Sequence, residues 1–139
     1  MRILYTDGSA SPNPGPGGFA VIEKGWPVRI GSEDGETTNI RMEGLALINA
    51  LEFLNGDKAE VKTDSEFWIN VVTKWAPKWE AKGWAKKGGE IKNLDIVKKL
   101  YVLYQASNAK LVWLRGHNGH DGNELADTWA NKARDGARL

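Results

Sequence analysis

An α/β layered fold is predicted by three features of this 139-residue sequence. Short alternating apolar runs bounded by Gly and Pro open the chain, and apolar residues at helical spacing separate its later strand-like runs. The resulting order reads β-β-β-α-β-α-α-β-α. Turns join the first three strands into an antiparallel meander, whereas helical crossovers lead to the last two and favour parallel pairing.

Each element has a local reason. Residues 2–8 alternate, with Ile3, Tyr5 and Asp7 on one side and Leu4 and Thr6 on the other; the first set is taken as the inward face. The tract SASPNPGPGG reverses the chain, GGFAVIEK pairs back as a hairpin, and WPVRIGSE forms a third strand. The polar EDGETTN is a loop. From Arg41 to Leu54, Met42, Leu45, Ile48 and Leu51 recur at helical spacing, which places Glu43 in the first turn, and Gly56 falls where a C-terminus is expected. AEVKTDSE is a strand ending in Asp64. FWINVVTKW is helical and stops near Pro77, WEAKGWAKKGGEIKN is part helix and part basic loop, and LDIVKKLYVLYQA is an amphipathic helix. KLVWLR gives the last strand, GHNGHDG a glycine-rich loop, and NELADTWANKAR the closing helix.

Composition narrows the function. At this length, with 41% hydrophobic and 27% charged residues, one domain over 1–139 can bury a real core. The absence of Cys excludes disulfides and thiolate metal sites. No apolar run approaches the roughly 18 residues of a membrane span, and MRILYTDGS lacks signal-peptide architecture, so a cytosolic (cytoplasmic) protein is expected. No sign of an oligomer interface appears, and a monomer is expected. Net charge is only +1, yet eight Lys between positions 74 and 99 face just Glu80, Glu90 and Asp95. Trp75, Trp79 and Trp84 lie in the same stretch, a combination that points to a polyanionic partner.

Four acids stand out: Asp7 and Asp64 at strand ends, Glu43 near a helix start, and Asp127 in the last helix beside Leu125, Ala126 and Trp129. Singly, each has an ordinary explanation in a turn, at a helix dipole or on a solvated face. Together they raise another possibility, because ligands of such sheets sit at the carboxyl ends of parallel strands. Carboxylates that converge without Lys or Arg repel one another. A hard divalent cation resolves that repulsion, and all-oxygen ligation suits Mg²⁺ or Mn²⁺ rather than zinc.

The stretches YTDGSASPNPGPGG, TTNIRMEGLALINALE, KTDSEFWI, WAPKWEAKGW and WLRGHNGHDGNELAD, in this order and spacing, resemble the type 1 ribonuclease H family over nearly the whole chain. The resemblance implies a ribonuclease H-like fold with a five-stranded mixed sheet flanked by helices. It also implies that Asp7, Glu43, Asp64 and Asp127 are catalytic acids holding two Mg²⁺ ions, with Mn²⁺ as a substitute. His117, ten residues before Asp127, matches the family's mobile histidine, leaving His120 structural. The basic stretch at about 74–93 resembles a substrate-binding handle in which Lys82, Lys86 and Lys87 meet phosphates. Asn13 and Asn39 match residues that read the RNA strand, Phe67 and Trp75 residues that pack on deoxyriboses, and Thr38 and Asn93 a pocket for a DNA phosphate. Trp26, Trp68, Trp113 and Trp129 are then assigned to the core.

Two positions depart from the pattern: Glu36 stands where an Arg is common, and Ile40 where a polar amide is common. Both bear on the grip of the DNA strand and on base-edge contact, and not on the acids. The function so implied is hydrolysis of the RNA strand of an RNA–DNA hybrid duplex, leaving 5′-phosphate and 3′-hydroxyl ends. The alternatives are a DNA-cutting nuclease or strand transferase of the same superfamily, or an idle nucleic-acid-binding module.

Overall fold

Alternation in RILYTDGSA builds strand β1 (Arg2–Ala10), which pairs antiparallel with β2 (Gly17–Glu23) and parallel with β4 (Ala59–Thr63). Strand β3 (Trp26–Gly31) extends the hairpin and β5 (Ala109–Trp113) the parallel side, giving the sheet order β3-β2-β1-β4-β5. This computed structural model describes residues 1–86, 88–115 and 121–139. The mixed sheet expected from the sequence is therefore present, antiparallel through its first three strands and parallel through its last two pairings.

Helices cover both faces. Helix α1 (Asn39–Leu54) packs with α4 (Leu94–Ala106) over one face, where Leu4, Val61, Leu47, Leu51, Val97 and Leu100 are almost wholly buried. Helix α5 (Asp121–Arg134) covers the other face through Ala126, Ala130 and Ala133. Small residues let it come close: a β-carbon on Gly18 would stand 2.3 Å from the Ala130 carbonyl oxygen. The two covers change one expectation. Leu4 and Thr6 are buried, while Ile3, assigned to the inward face, is 40% exposed near the start of the strand.

Several boundaries differ for local reasons. Helix α1 begins two residues early because the Thr38 hydroxyl caps it, accepting from the Arg41 N–H at 3.2 Å. Glu43 is consequently in the second turn, and the helix dipole no longer accounts for it. Strand β4 ends at Thr63, so Asp64 is the first residue beyond it. The chain does not stop at Pro77. Helix α2 (Glu66–Asn70) runs through a π-helical turn (Val71–Trp75) into α3 (Ala76–Ala81), where Pro77 occupies the first turn and its missing N–H costs little. Asp121 and Gly122, read as loop, start α5.

The tryptophans divide differently from the sequence assignment. Trp68 is fully buried and donates its indole N–H to the Ile40 carbonyl at 2.7 Å. Trp26 lies at the outer strand and is 74% exposed, Trp113 is 46% exposed at the end of β5, and Trp129 is half-buried under Lys132. Each of these three sits at a margin where the covering helices give out or a charged chain supplies the cover.

Gly8 fixes how closely α1 approaches β1. A β-carbon there would lie 2.2 Å from the Met42 carbonyl carbon and 2.3 Å from the Glu43 nitrogen, both backbone atoms that cannot swing aside. Gly8→Ala is expected to destabilise the protein by about 3 kcal/mol, lowering Tm by roughly 10 °C. Thermal unfolding of the variant checks this, and a shift under about 2 °C would contradict the close seating.

Candidate active site

Strands β1 and β4 pair from Arg2↔Ala59 to Tyr5↔Lys62 and then part. Asp7 and Asp64 each lie two residues beyond that last pair, at one level of the sheet. Strand β1 stays paired with β2 as far as Ala10↔Gly17 while the chain after β4 turns into α2, which opens a notch on the β4 side of Asp7. The close approach at Gly8 brings the Met42–Glu43 backbone against β1, delivering the Glu43 carboxylate from above.

The three acids converge. One carboxylate oxygen from each of Asp7, Glu43 and Asp64 lies within 4.8 Å of the other two, and none of the three is ion-paired among the described residues. Burial pushes the Asp7 carboxyl up to about 9, helped by the charges of Asp64 and Glu43 and, to a lesser degree, Asp127. Glu43 is pushed up to about 8, by burial first and by Asp64 second, while the Ser65 hydroxyl works the other way. Asp127, on α5 and half-buried, is near enough to act on Asp7 but stands outside the trio.

Asp64 Oδ1 is buried without a hydrogen-bond partner among the described residues. An orphaned buried carboxylate oxygen in a nest of like charges is costly unless a cation meets it. The donor set is oxygen only, which fits a hard divalent ion such as Mg²⁺ or Mn²⁺. Asp7, Glu43 and Asp64 are the residues that would hold it.

Polar groups flank the notch. The Asn39 Oδ1 accepts from the Ala10 N–H at 2.6 Å, and the Asn13 Oδ1 accepts from the Asn39 N–H at 3.2 Å. Backbone bonds between Gly15 and Thr37, 3.0 and 2.8 Å, tie the Pro/Gly turn to the start of α1. Asn13 and Asn39 are thus brought together at the end of β1. On the far side of α1, Thr38 and Asn93 both bond Arg41, which the sequence reading passed over: Thr38 caps its backbone N–H and Asn93 meets its side chain. Its guanidinium reaches the Asn93 Oδ1 at 3.2 Å and is held by Glu33 and Asp95 at 2.8 and 2.9 Å. The signal was present in the spacing: an Arg three residues beyond a helix cap returns to the cap's side of the helix. Glu36 is exposed and makes no ion pair among the described residues.

The aromatic face lies farther out. Phe67, Trp75 and Trp79 form a ladder with centroid separations of 5.7 and 6.2 Å. With Lys86 and Lys92 they border a groove of about 340 Å³. Trp84 packs edge-on against Tyr101 under Lys98, anchoring the exposed stretch that carries Lys82 and Lys86. Of the other candidate residues, His117, His120 and Lys87 lie outside the described residues.

The raised carboxyls have a consequence for stability. Between the ordinary carboxyl range near pH 4 and the raised values, the folded state holds protons that the unfolded chain has released. Metal-free protein must therefore lose stability as pH climbs through that window. Glu33 and Asp95, held low by Arg41, and Glu23, held low by Arg2, act only at the acid end, where stability falls as they become protonated. In chelator, Tm is expected to decline from about pH 5 to about pH 9, and Asp64→Asn should shrink that decline by removing one repelling charge. A flat profile, or an equal decline in the variant, would contradict the electrostatic reading of the trio.

The RNase H family model matches residues 1–135. Ribonuclease H of Methylorubrum extorquens (strain PA1) is 42% identical over 135 residues, covering 95% of this chain but 59% of that longer protein. Ribonuclease H of Methylococcus capsulatus is 39% identical over 140 residues, covering 94% of this chain and 87% of that one. Among solved structures, LC9-RNase H1, a type 1 RNase H with the type 2 active-site motif, matches with a TM-score of 0.79 at 26% identity, over 99% of this chain and 74% of that one. LC11-RNase H1 in complex with an RNA/DNA hybrid matches with a TM-score of 0.67 at 30% identity, over 97% of each chain. A matching family model along almost the full length and relatives near 40% identity lead to one conclusion: the chain belongs to the RNase H family.

Proposed function

We propose that this protein is a Mg²⁺-dependent endonuclease that hydrolyses the RNA strand of RNA–DNA hybrids, giving 5′-phosphate and 3′-hydroxyl ends. The observation that carries the reading is the unpaired trio Asp7, Glu43 and Asp64 with the orphaned Asp64 Oδ1. Its relative LC11-RNase H1 binds an RNA/DNA hybrid, which supports the substrate class. Bound divalent ions, two of them with Mn²⁺ as a substitute, supply an activated water and neutralise charge on the leaving oxygen.

The chain's own residues do the rest. Asp7, Glu43 and Asp64 hold the ions, and Asp127, approaching from α5, completes the acidic set. His117 assists proton transfer or product departure, a role open to an imidazole because it can both accept and donate a proton. Asn13 and Asn39, linked to each other at the end of β1, read the RNA strand, where a 2′-hydroxyl offers both donor and acceptor. Phe67, 41% exposed, and Trp75 pack on sugars of the DNA strand, and Lys82, Lys86 and Lys87 neutralise its phosphates.

Thr38 and Asn93 form the phosphate pocket with hydrogen-bonding capacity to spare. Thr38 accepts through its oxygen from Arg41 N–H and keeps its hydroxyl proton for an anion. Asn93 accepts through Oδ1 and keeps its amide protons. Glu33 and Asp95 absorb most of the Arg41 charge, and Glu36 adds a further negative charge nearby, so this pocket grips weakly. An idle binding module would have no use for three clustered unpaired acids, whose cost is relieved only by metal.

A cleavage assay on hybrid with a labelled RNA strand tests the proposal. The wild-type chain is expected to cut RNA in the hybrid with Mg²⁺ and not in chelator, and to leave DNA duplex intact. Asp64→Asn should reduce the rate by about a hundredfold or more while hybrid binding survives, because a metal ligand is lost and the binding surface is not. Near-normal cleavage by Asp64→Asn, or cleavage in chelator, would refute it.

A further inference from the structure

Asp64 belongs neither to β4, which ends at Thr63, nor to α2, which begins at Glu66. A residue in a two-residue connection has no ladder of its own to fix its direction, yet its carboxylate must meet two others within a few ångströms. Three hydrogen bonds stand in for the missing ladder. The Leu114 N–H donates to the Thr63 carbonyl at 2.8 Å, and the Ser65 N–H donates to Thr63 Oγ1 at 3.0 Å. The third reaches Asp64 itself: the Trp113 indole N–H donates to the Asp64 carbonyl oxygen at 3.3 Å.

Trp113 is an unusual place to find a structural tryptophan. It shares its side of β5 with Leu111, which is buried, but the strand end projects past the core and leaves the indole 46% exposed. Burial explains little of its placement, and the hydrogen bond connects it to Asp64, the one acid with an unsatisfied buried oxygen among the described residues. A rigid ring with a single donor at its far edge can span from one strand end to the next, which neither Phe nor a shorter polar side chain can do.

We propose that Trp113 is a positioning residue for the metal site. Its indole N–H holds the Asp64 peptide so that the carboxylate faces Asp7 and Glu43, in the manner of outer-sphere partners that orient metal ligands. The inference rests on the reading of Asp64 as a metal ligand. Its energetic scale is that of one neutral hydrogen bond at a partly exposed site.

Mg²⁺ binding to the full chain by isothermal titration calorimetry tests it, with no substrate present. Trp113→Phe keeps the ring and removes the donor, and is expected to weaken Mg²⁺ binding about three- to tenfold. Its Tm in chelator should stay within about 3 °C of wild type, since the exposed ring remains. Trp26→Phe, which alters an exposed indole on the opposite side of the sheet, should leave affinity unchanged. In an Asp64→Asn background, Trp113→Phe should cost nothing further. In hybrid cleavage, Trp113→Phe should lower kcat at limiting Mg²⁺, recover at high Mg²⁺, and leave KM for hybrid unaltered. Unchanged Mg²⁺ affinity in Trp113→Phe beside a large loss in Asp64→Asn would overturn the role of Trp113 alone. Unchanged affinity in Asp64→Asn would overturn both it and the metal-site reading.

Discussion

Mutual repulsion among Asp7, Glu43 and Asp64 is the constraint to which the rest of the molecule answers. Three carboxylate oxygens within 4.8 Å of one another would drift apart on a flexible scaffold. Here they are mounted on elements that cannot yield cheaply. Asp7 is in the central strand, with neighbours paired on β2; Glu43 rides on a helix seated backbone to backbone at Gly8; Asp64 is braced from the end of β5. The core supplies the rigidity, through Leu4, Val61 and Leu47 beneath the strands that carry the acids. The fold holds that repulsion in the raised carboxyls of Asp7 and Glu43 and in one unsatisfied oxygen, Asp64 Oδ1, and a bound cation would relieve both.

The same reasoning separates the site from its surroundings. Acids at the notch are buried and unpaired, whereas Glu33, before α1, and Asp95, on α4, are neutralised by Arg41, and Glu23 by Arg2. Cations are concentrated instead in the stretch after α3, where they are exposed and anchored by Trp84 and Ile91. A polyanion laid across the molecule would thus meet positive charge at one side and the acidic trio at the centre. Between them the Phe67–Trp75–Trp79 ladder offers flat apolar surface.

Much of this was legible in the sequence because its signals are local. Alternation in RILYTDG, the helical spacing after Arg41 and the Gly-rich turns specify five strands and their order, and the motif spacing identifies the family. The π-helical turn at Val71–Trp75 and the continuation through Pro77 in α3 were not legible, since a proline inside an apolar helical run ordinarily marks an end. Nor was the inward face of β1, because helices cover both sides of the sheet and alternation then says little about burial. Trp26 and Trp113 were misassigned for a related reason: hydrophobicity indicates preference for the interior, but strand ends outrun the helices that cover them. Arg41 went unnoticed although its spacing from the helix cap was visible, because its pairing with Asp95 joins α1 to α4 across 54 residues. At the site, the acids could be named from sequence, while the brace from Trp113 depends on the parallel register of β4 and β5, a purely tertiary fact.

The most direct test of this constraint is whether a cation entering the site displaces protons from Asp7 and Glu43. With Asp7 pushed up to about 9 and Glu43 to about 8, both hold protons at neutral pH, and metal ligation requires the ionised forms. Calorimetric titration with Mg²⁺ at pH 7 in two buffers of different ionisation enthalpy reads the exchange directly. Release of roughly one to two protons per protein, falling toward none above about pH 9, is the expected result. Tight Mg²⁺ binding at pH 7 with no proton release would contradict it, because the carboxylates would then already be ionised and their convergence would lack the consequence assigned to it.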